Sequence, residues 1–144
     1  MMDITQAVYD KLSQDATLVA LLATYPNGSP QNPAIFTAWP VPPDATRPYV
    51  YSRGSVSDTH FDEINTNLGR DIIRDVTCIA DNTGSDAAIE TIAERIRTIL
   101  HRQPLTVPSG THVMSQCIGG PSVAQTDDSL TGRHLSIRIV TMEG

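Results

Sequence analysis

The sequence predicts an α+β fold in which a mostly antiparallel sheet of four to five strands carries two helices on one face, in the order α-β-β-β-α-β-β. Two kinds of pattern lead to this prediction. Residues 86–102 place isoleucines at helical spacing, whereas residues 71–81 and 133–142 alternate apolar and polar side chains as a strand does. With 144 residues, of which 40% are hydrophobic, the chain is expected to form one domain spanning residues 1–144.

The first helix is predicted to begin at Asp3, whose residue type commonly caps helix N-termini, because Ile4, Val8 and Leu12 follow it at a spacing of four. Asp15 is expected to cap a second helical stretch that continues the first. The apolar side chains of this continuation that we expect to be buried are Leu18, Val19, Leu21 and Leu22.

Residues 26–48 contain seven of the ten prolines, so an extended, loop-rich zone is predicted there. Three strand candidates follow the first helix: "AIFTAW" (34–39), "YVYSR" (49–53) and "DIIRDVTCIAD" (71–81). The third alternates, and Arg74 is expected near an end of its buried face. The residues assigned to that face are Ile72, Arg74, Val76, Cys78 and Ala80.

The segment 86–102 is the clearest helix of the sequence. Ser85 or Asp86 is expected to cap it, and Pro104 is expected to end it. Acidic residues lie early and arginines late, which complements the helix dipole. His101 is expected to be a surface residue of the last turn rather than a metal ligand. The apolar stripe consists of Ile89, Ile92, Ala93, Ile96, Ile99 and Leu100.

The C-terminal part of the chain is predicted to be a β-hairpin. Residues 111–125 are strand-like, but the Gly-Gly-Pro run at 119–121 interrupts them and predicts a bulge or kink. Residues 126–132 are expected to form the turn, and residues 133–142 the returning strand. The buried face of the returning strand is expected to carry Leu135, Ile137 and Ile139.

The composition argues against several classes of protein. The net charge is −6 and the chain has no basic run of the kind that binds nucleic-acid phosphates. No apolar run approaches the roughly 20 residues of a membrane span, and the first residues lack the features of a secretory signal. Cys78 and Cys117 are expected to be buried, reduced thiols. Lys11 is the only lysine beside nine arginines, which is typical of interfaces, although GC-rich codon usage explains it equally well.

Sequence motifs for catalysis or cofactor binding are absent. The chain contains no phosphate-binding glycine loop and no HExxH, CxxC or GxSxG motif. His112 and His134 could face each other across the terminal hairpin, but a polar sheet face explains them better than a metal site. We therefore predict no catalytic residue, no cofactor and no metal ligand.

One polar stretch, "THFDEINTNLGRD" (59–71), needs a separate explanation because it concentrates chemically active side chains. His60, Asp62 and Glu63 could bind a metal or move a proton, but a strand or loop would direct His60 and Asp62 to one side and Glu63 to the other. We predict instead a long polar protrusion between two strands, one form of which is an extended hairpin with "NTNLG" at its tip. Long loops in small domains commonly serve binding.

The order of the elements resembles that of the tail terminator or tail-completion proteins of tailed bacteriophages. The stretches that carry this resemblance are "AVYDKLSQDATLVALLA", "AIFTAWPVPPDATRPYVYSRG", "RDVTCIADNTGSDAAIETIAERIRTILHRQPL" and "DDSLTGRHLSIRIVTME". Each stretch is degenerate by itself, and their order over nearly the whole chain carries the likeness.

The resemblance implies a structural virion protein. Similar proteins form a ring, usually a hexamer, on the head-proximal end of a long tail. Their partners are further copies of the same chain, the tail tube protein and a head-completion or neck connector protein, and the genome passes through the lumen without specific binding. The protein would be assembled in the host cytoplasm and located in the neck region of the tail, with no membrane partner.

Under this resemblance, the stretch from residue 59 to 69 is expected to contact a neighbouring subunit or the tail tube. The residues assigned to this interface are His60, Phe61, Asp62, Glu63, Asn65, Asn67, Arg70 and Arg53. Shortening Ser57–Leu68 to a Gly-Ser turn is then expected to leave thermal stability nearly unchanged. The alternatives are another neck or head–tail connector ring, and a small enzyme that uses the His60/Asp62 region or Cys78.

Overall fold

The computed structural model describes residues 2–25, 32–37, 41–43, 45–52, 54–62, 68–105, 107, 110–123 and 129–143. The helices are α1 (Met2–Ser13), α2 (Ala16–Leu21) and α3 (Ala87–Leu100). The strands are β1 (Ile35–Phe36), β2 (Tyr49–Tyr51), β3 (Ser55–Asp62), β4 (Leu68–Asp81), β5 (Gly110–Val123) and β6 (Leu130–Glu143). The predicted α+β class is confirmed. The predicted first helix is divided into α1 and α2, and β3 is a strand that the predicted order does not contain.

The six strands form one sheet in the order β1-β2-β4-β6-β5, with β3 also paired to β4. The 14-residue strand β4 is long enough to pair with two short strands along one edge. Its first part, 68–74, pairs with β3, and its last part, 77–79, pairs with β2. Its other edge pairs with β6 over 69–81. All neighbours are antiparallel except β1 and β2, which are parallel.

The main core lies between the sheet and the three helices. The register places Ile72 opposite Ile139 and Val76 opposite Leu135, so the apolar alternations of β4 and β6 meet on one face. The isoleucine stripe of α3 packs on this face, and all six of its predicted members are buried. No helix among the residues described here is long and apolar enough to span a membrane.

The N-terminal helices follow the predicted apolar pattern but not the predicted first cap. Ile4, Val8 and Leu12 are buried as expected, whereas Asp3 lies inside α1, which begins at Met2. Asp15 is the N-cap of α2, and its carboxylate accepts a hydrogen bond of 2.8 Å from the Leu18 amide. The separation of α1 from α2 follows from this cap, because an N-cap residue is extended and interrupts the helix.

Asp15 also joins α2 to α3 through a bidentate ion pair with Arg95, at 2.9 and 2.5 Å. Asp15→Ala is expected to lower the free energy of unfolding by about 1–2 kcal/mol at neutral pH, because the cap and the ion pair are both lost. Asp15→Asn keeps an oxygen for the Leu18 amide and should lose less. Urea denaturation of the two variants measures this difference.

The same ion pair predicts a pH dependence. The hydrogen bond from Arg95 holds the pKa of Asp15 below its ordinary value. The contribution of the pair is therefore complete above the unfolded pKa of about 3.9 and disappears as the pH falls through the lower folded value. The stabilities of the wild type and Asp15→Asn should converge in strong acid, and a constant difference would show that the charge of Asp15 is not responsible.

A second, smaller core covers the opposite face of the sheet at the β1–β2 end. The rings of Tyr25 and Phe36 lie 5.4 Å apart, and those of Phe36 and Tyr49 lie 5.9 Å apart, both edge to face. They pack with the buried residues Ala34 and Ile79. The predicted strand 34–39 shrinks to the two residues of β1, and its residues 38 and 39 lie outside the described part of the chain.

Arg74 is buried in the middle of β4 and not near an end, contrary to the expectation from the sequence. Its side chain is on the helix face, and the residue is 2% exposed. The guanidinium donates to Ser52 Oγ at 2.6 Å, to the Ser52 carbonyl at 2.8 Å and to Thr5 Oγ1 at 3.1 Å. No carboxylate in the described part of the chain forms an ion pair with it. Neutral acceptors therefore satisfy this charge and fix α1 and the end of β2 against β4.

Two polar residues precede α3, and only one of them caps it with its side chain. Ser85 Oγ accepts from the Ala87 amide at 3.3 Å. Asp86 occupies the N-cap position but makes no side-chain cap, because its carboxylate accepts from Arg133 of β6 at 2.9 Å. The N-terminus of α3 is thereby attached to the sheet.

Candidate functional site

The polar stretch that the sequence singled out is largely a strand of the sheet. Residues from Ser55 to Asp62 form β3 and pair with β4 from Arg74 back to Leu68. The two strands are therefore an antiparallel hairpin, as one form of the prediction allowed. The described part is not a loop, because β3 adds an edge strand to a sheet that continues through β4 into β6. The tip, 63–67, lies outside the described residues.

The candidate interface residues divide accordingly. The main chains of His60, Phe61 and Asp62 lie in β3, opposite Arg70, Gly69 and Leu68. The remaining candidates, apart from Arg70, lie outside the described residues: Arg53, Glu63, Asn65 and Asn67. Whether these side chains contact a partner stays a prediction.

Arg70 holds the hairpin together from within. Its guanidinium donates to the two carboxylate oxygens of Asp58, at 3.3 Å from Nε and 2.5 Å from Nη2. The Arg70 side chain is only 10% exposed and the Asp58 side chain 25% exposed. When its main chain is included, Asp58 is nevertheless an exposed residue. We attribute this exposure to the main chain, which lies at the sheet edge. Arg70 therefore stabilises the β3–β4 pairing, a role the sequence did not indicate.

Among the described residues, three strands pair with a strand on one side only. They are the two-residue β1, whose neighbour is β2, β3, whose neighbour is β4, and β5 at the opposite side of the sheet, whose neighbour is β6. The large hydrophobic side chains that are exposed in this part of the chain all lie on these strands: Val56 (66%) on β3, and Ile118 (47%) and Val123 (73%) on β5. The sequence signal for them is weak, since each is a single apolar residue in a polar or glycine-rich setting.

The middle of the β5 edge is covered by the turn that follows α3. The Arg102 amide donates to the Ser115 carbonyl at 2.8 Å, and the Cys117 amide donates to His101 Nδ1 at 3.1 Å. The Ser115 hydroxyl lies 2.8 Å from the Gln103 carbonyl. These contacts occupy edge groups of β5 that would otherwise be available to another strand.

His101 is thus more than the surface residue of the last helical turn that the sequence suggested. It is the C-cap of α3, is half-buried and accepts a hydrogen bond from β5. Arg102, which follows it, has a φ of +57°, in the left-handed region where helices commonly end. This conformation turns the chain so that the Arg102 amide reaches Ser115.

The stability of the protein is expected to fall as the pH is lowered from about 7.5 to about 5.5. Burial lowers the pKa of His101, and Arg97 and Arg102 lower it further; burial and Lys11 lower the pKa of His112 in the same direction. The unfolded chain therefore binds more protons in this range, and protonation of Nδ1 would also break the bond from Cys117. Thermal melts at several pH values measure the slope, and His101→Gln should reduce it. An unchanged slope in that variant would assign the effect to other groups.

The outer part of β5 is irregular, as the Gly-Gly-Pro run predicted. The register with β6 shifts between Ile118 and Ser122, and Gly119 has a φ of +74°. The two histidines do not face each other: His112 lies opposite Thr141, and His134 lies opposite Ser122. The two imidazoles are therefore at different positions along the hairpin and cannot share a metal.

The described part of the chain offers little for catalysis. It contains no group of three or more His, Cys, Asp or Glu residues that could hold a metal ion. Cys78 is fully buried, and burial raises its pKa to about 11. Cys117 is buried as well, and burial raises its pKa. Both thiols are free, as predicted, and neither is activated as a nucleophile at neutral pH.

The face of the β4–β6 pair opposite the helices carries charged and polar pairs. Arg138 donates to both oxygens of Asp71, at 2.9 and 2.7 Å, and the Ser136 hydroxyl donates to Asp75 at 2.6 Å. The hydrogen bond from Arg138 holds the pKa of Asp71 below its ordinary value. These charged groups are therefore paired with one another on this face. The exposed large hydrophobic side chains of the described residues lie on the two edges instead.

Comparison with solved structures gives a likeness that covers nearly the whole chain. The fold is similar to that of a chain from the virion of a native gene transfer agent particle, with a TM-score of 0.77 and 21% sequence identity. The likeness covers 99% of this chain and 96% of that chain. No protein-family model and no curated protein matches the sequence. The two chains therefore share a fold over nearly their whole lengths.

Proposed function

We propose that this chain is a structural protein of a phage-like virion. It forms a ring at the head-proximal end of a long tail, ends polymerisation of the tail tube and provides the surface for head–tail joining. The full-length likeness to a virion chain supports a role in such a particle. The resemblance of the sequence to tail terminators supports the position in the neck.

The observation that best supports a ring is the placement of exposed apolar residues on two opposite edges of the sheet. A closed ring requires two different surfaces on each subunit, one that contacts the next subunit and one that contacts the previous subunit. A two-fold dimer would need only one. The chain has two such surfaces, on β3 and on β5, and they lie on opposite sides of the sheet.

The remaining features of the proposal come from the resemblance to tail terminators and from the requirements of a ring around a genome. Its partners are further copies of the chain, arranged as a hexamer, together with the tail tube protein and a neck connector protein. A lumen that DNA must cross should not bind phosphates, and the net charge of −6 is suited to that requirement. The role needs no catalytic residue, metal or cofactor.

A second candidate is another ring of the neck, such as a head–tail connector. The likeness to a gene transfer agent virion fits this role equally well, since it concerns the fold and not a position in the particle. A connector would be required for joining heads to tails but not for limiting the length of the tail tube.

Deletion of the gene from the phage that encodes it tests the proposal and separates the two candidates. We expect electron micrographs of the lysate to show tails of uncontrolled length and heads without tails, with normal particles restored by expression of the wild-type chain. Tails of normal length that fail to join heads would favour the connector. Normal infectious particles from the deletion would refute both.

A further inference from the structure

We infer that the subunits associate edge to edge: β3 of one copy pairs with the outer part of β5, Ile118–Val123, of the next copy. The sheet would then continue from subunit to subunit. The inference rests on the proposed function for one point, namely that the successive contacts close into a ring. The experiment below does not depend on that function.

The first support is the state of the two edges. An edge strand presents unpaired main-chain groups, and proteins normally cover or interrupt such edges. The middle of β5 is covered by the turn at 101–103, whereas no described residue forms a strand against Ile118–Val123 or against the outer side of β3. The remaining edge strand, β1, has only two residues, so these two segments are the longer edges where another strand can add, although Pro121 offers no main-chain donor.

The second support is the position of the exposed apolar side chains. Single exposed hydrophobic residues are common on protein surfaces and need no explanation. Here, however, Val56 lies on one available edge, and Ile118 and Val123 lie on the other. Pairing the two edges would remove side chains of both groups from water.

Both edges also carry a register irregularity beside their apolar residues. The pairing of β3 shifts between Ser55 and Ser57, next to Val56, and that of β5 shifts between Ile118 and Ser122. Bulges disfavour pairing with an arbitrary flat strand. They restrict the contact to a partner of matching shape, which limits uncontrolled aggregation.

The charges of the two edges fit a second copy of this chain as the partner. Neither β3 nor β5 contains a lysine or an arginine, and β5 contains no acidic residue either. In β3, the carboxylate of Asp58 is paired with Arg70 of the same subunit. Glu90 and Glu94 lie near Pro121 in the outer part of β5, and Glu90 is paired with Arg133. Pairing of β3 with β5 therefore brings no like charges of the two strands together.

Site-directed cross-linking tests the contact. Val56→Cys and Val123→Cys are prepared as separate proteins, each at an exposed position where folding should be unaffected. They are treated at high protein concentration with a short bis-maleimide, whose span tolerates small differences in register. The native Cys78 and Cys117 are buried and their pKa values are raised, so the wild-type protein serves as an unreactive control.

A mixture of the two variants is expected to give cross-linked dimers, while each variant alone gives none. A protein carrying both cysteines should give a ladder of oligomers that stops at the ring size. Dimers from either single variant alone would indicate two-fold pairing of like edges and overturn the inference, as would the absence of cross-links in the mixture. Gene deletion tests the tail function, whereas cross-linking tests the contact between subunits. Either the proposed function or the inferred contact can therefore be refuted without the other.

A second measurement compares two lysine variants. Val123→Lys places a charge in the inferred contact and is expected to weaken self-association by about tenfold or more in sedimentation equilibrium. Ala88→Lys places the same charge on an exposed position of α3, outside β3 and β5, and should leave association unchanged. Equal effects of the two variants would contradict the edge contact.

Discussion

Ile96→Asp is expected to abolish the folded state. Ile96 is 0% exposed and lies in the α3 stripe that packs against the sheet. A carboxylate at this position would lose its hydration without gaining a partner, which costs several kcal/mol, about the whole stability of a small domain. Circular dichroism should show loss of helical signal and of the cooperative thermal transition at neutral pH.

The matched control is Ala88→Asp, on the exposed side of the same helix. An added carboxylate in the first turn of a helix is neutral or slightly favourable to the dipole. This variant should melt like the wild type. A normal melting transition for Ile96→Asp would mean that α3 does not present this face to the sheet.

Replacing residues 57–68 by a Gly-Ser turn is expected to destabilise the protein strongly. The sequence led us to expect almost no effect, because the stretch was predicted to protrude from the compact domain. Since it is largely the strand β3 of the sheet, we revise that expectation. Most of β3 would be removed together with Asp58, and Arg70, which is 8% exposed, would lose its carboxylate. The loss of this ion pair and the loss of the β3–β4 hydrogen bonds both lower the free energy of unfolding.

Replacing only residues 63–67 by Asn-Gly is the matched comparison. Asp62 lies opposite Leu68 in the register, so a two-residue hairpin turn can join them without disturbing β3. We expect the free energy of unfolding to change by less than about 1 kcal/mol. Chemical denaturation of both variants decides the matter, and equal stabilities would contradict the structural role assigned to β3.

The shorter variant also tests the predicted assembly role of the tip. If Glu63, Asn65 and Asn67 contact a subunit or the tail tube, phage carrying the shortened tip should produce tails of uncontrolled length or tails that fail to join heads. Normal particles would confine the assembly role to the strands.

The main elements of this fold could be predicted because their signals are local. The stripe of α3 and the alternation along β6 are periodic over a few turns or residues, and burial of one face follows directly from that period. The cap at Asp15 and the bulge at Gly119 are local as well, since each depends on the residue type at a single position.

What only the tertiary structure decided concerns residues whose partners are distant in the chain. β3 has no apolar alternation, and it is a strand because the first part of β4 leaves an edge that β2 does not reach. The burial of Arg74 depends on acceptors from Ser52 and Thr5, which lie 22 and 69 residues away.

The candidate assembly surface belongs to the same category. Sequence reasoning directed attention to the charged residues around His60, whereas the exposed apolar side chains lie at Val56, Ile118 and Val123. Strand order determines which strands lie at the edges of a sheet, and strand order results from long-range pairing that local residue patterns do not encode. The sequence by itself determined most of the elements and their buried faces, and the pairing of the elements decided that β3 is a strand and which surfaces remained open.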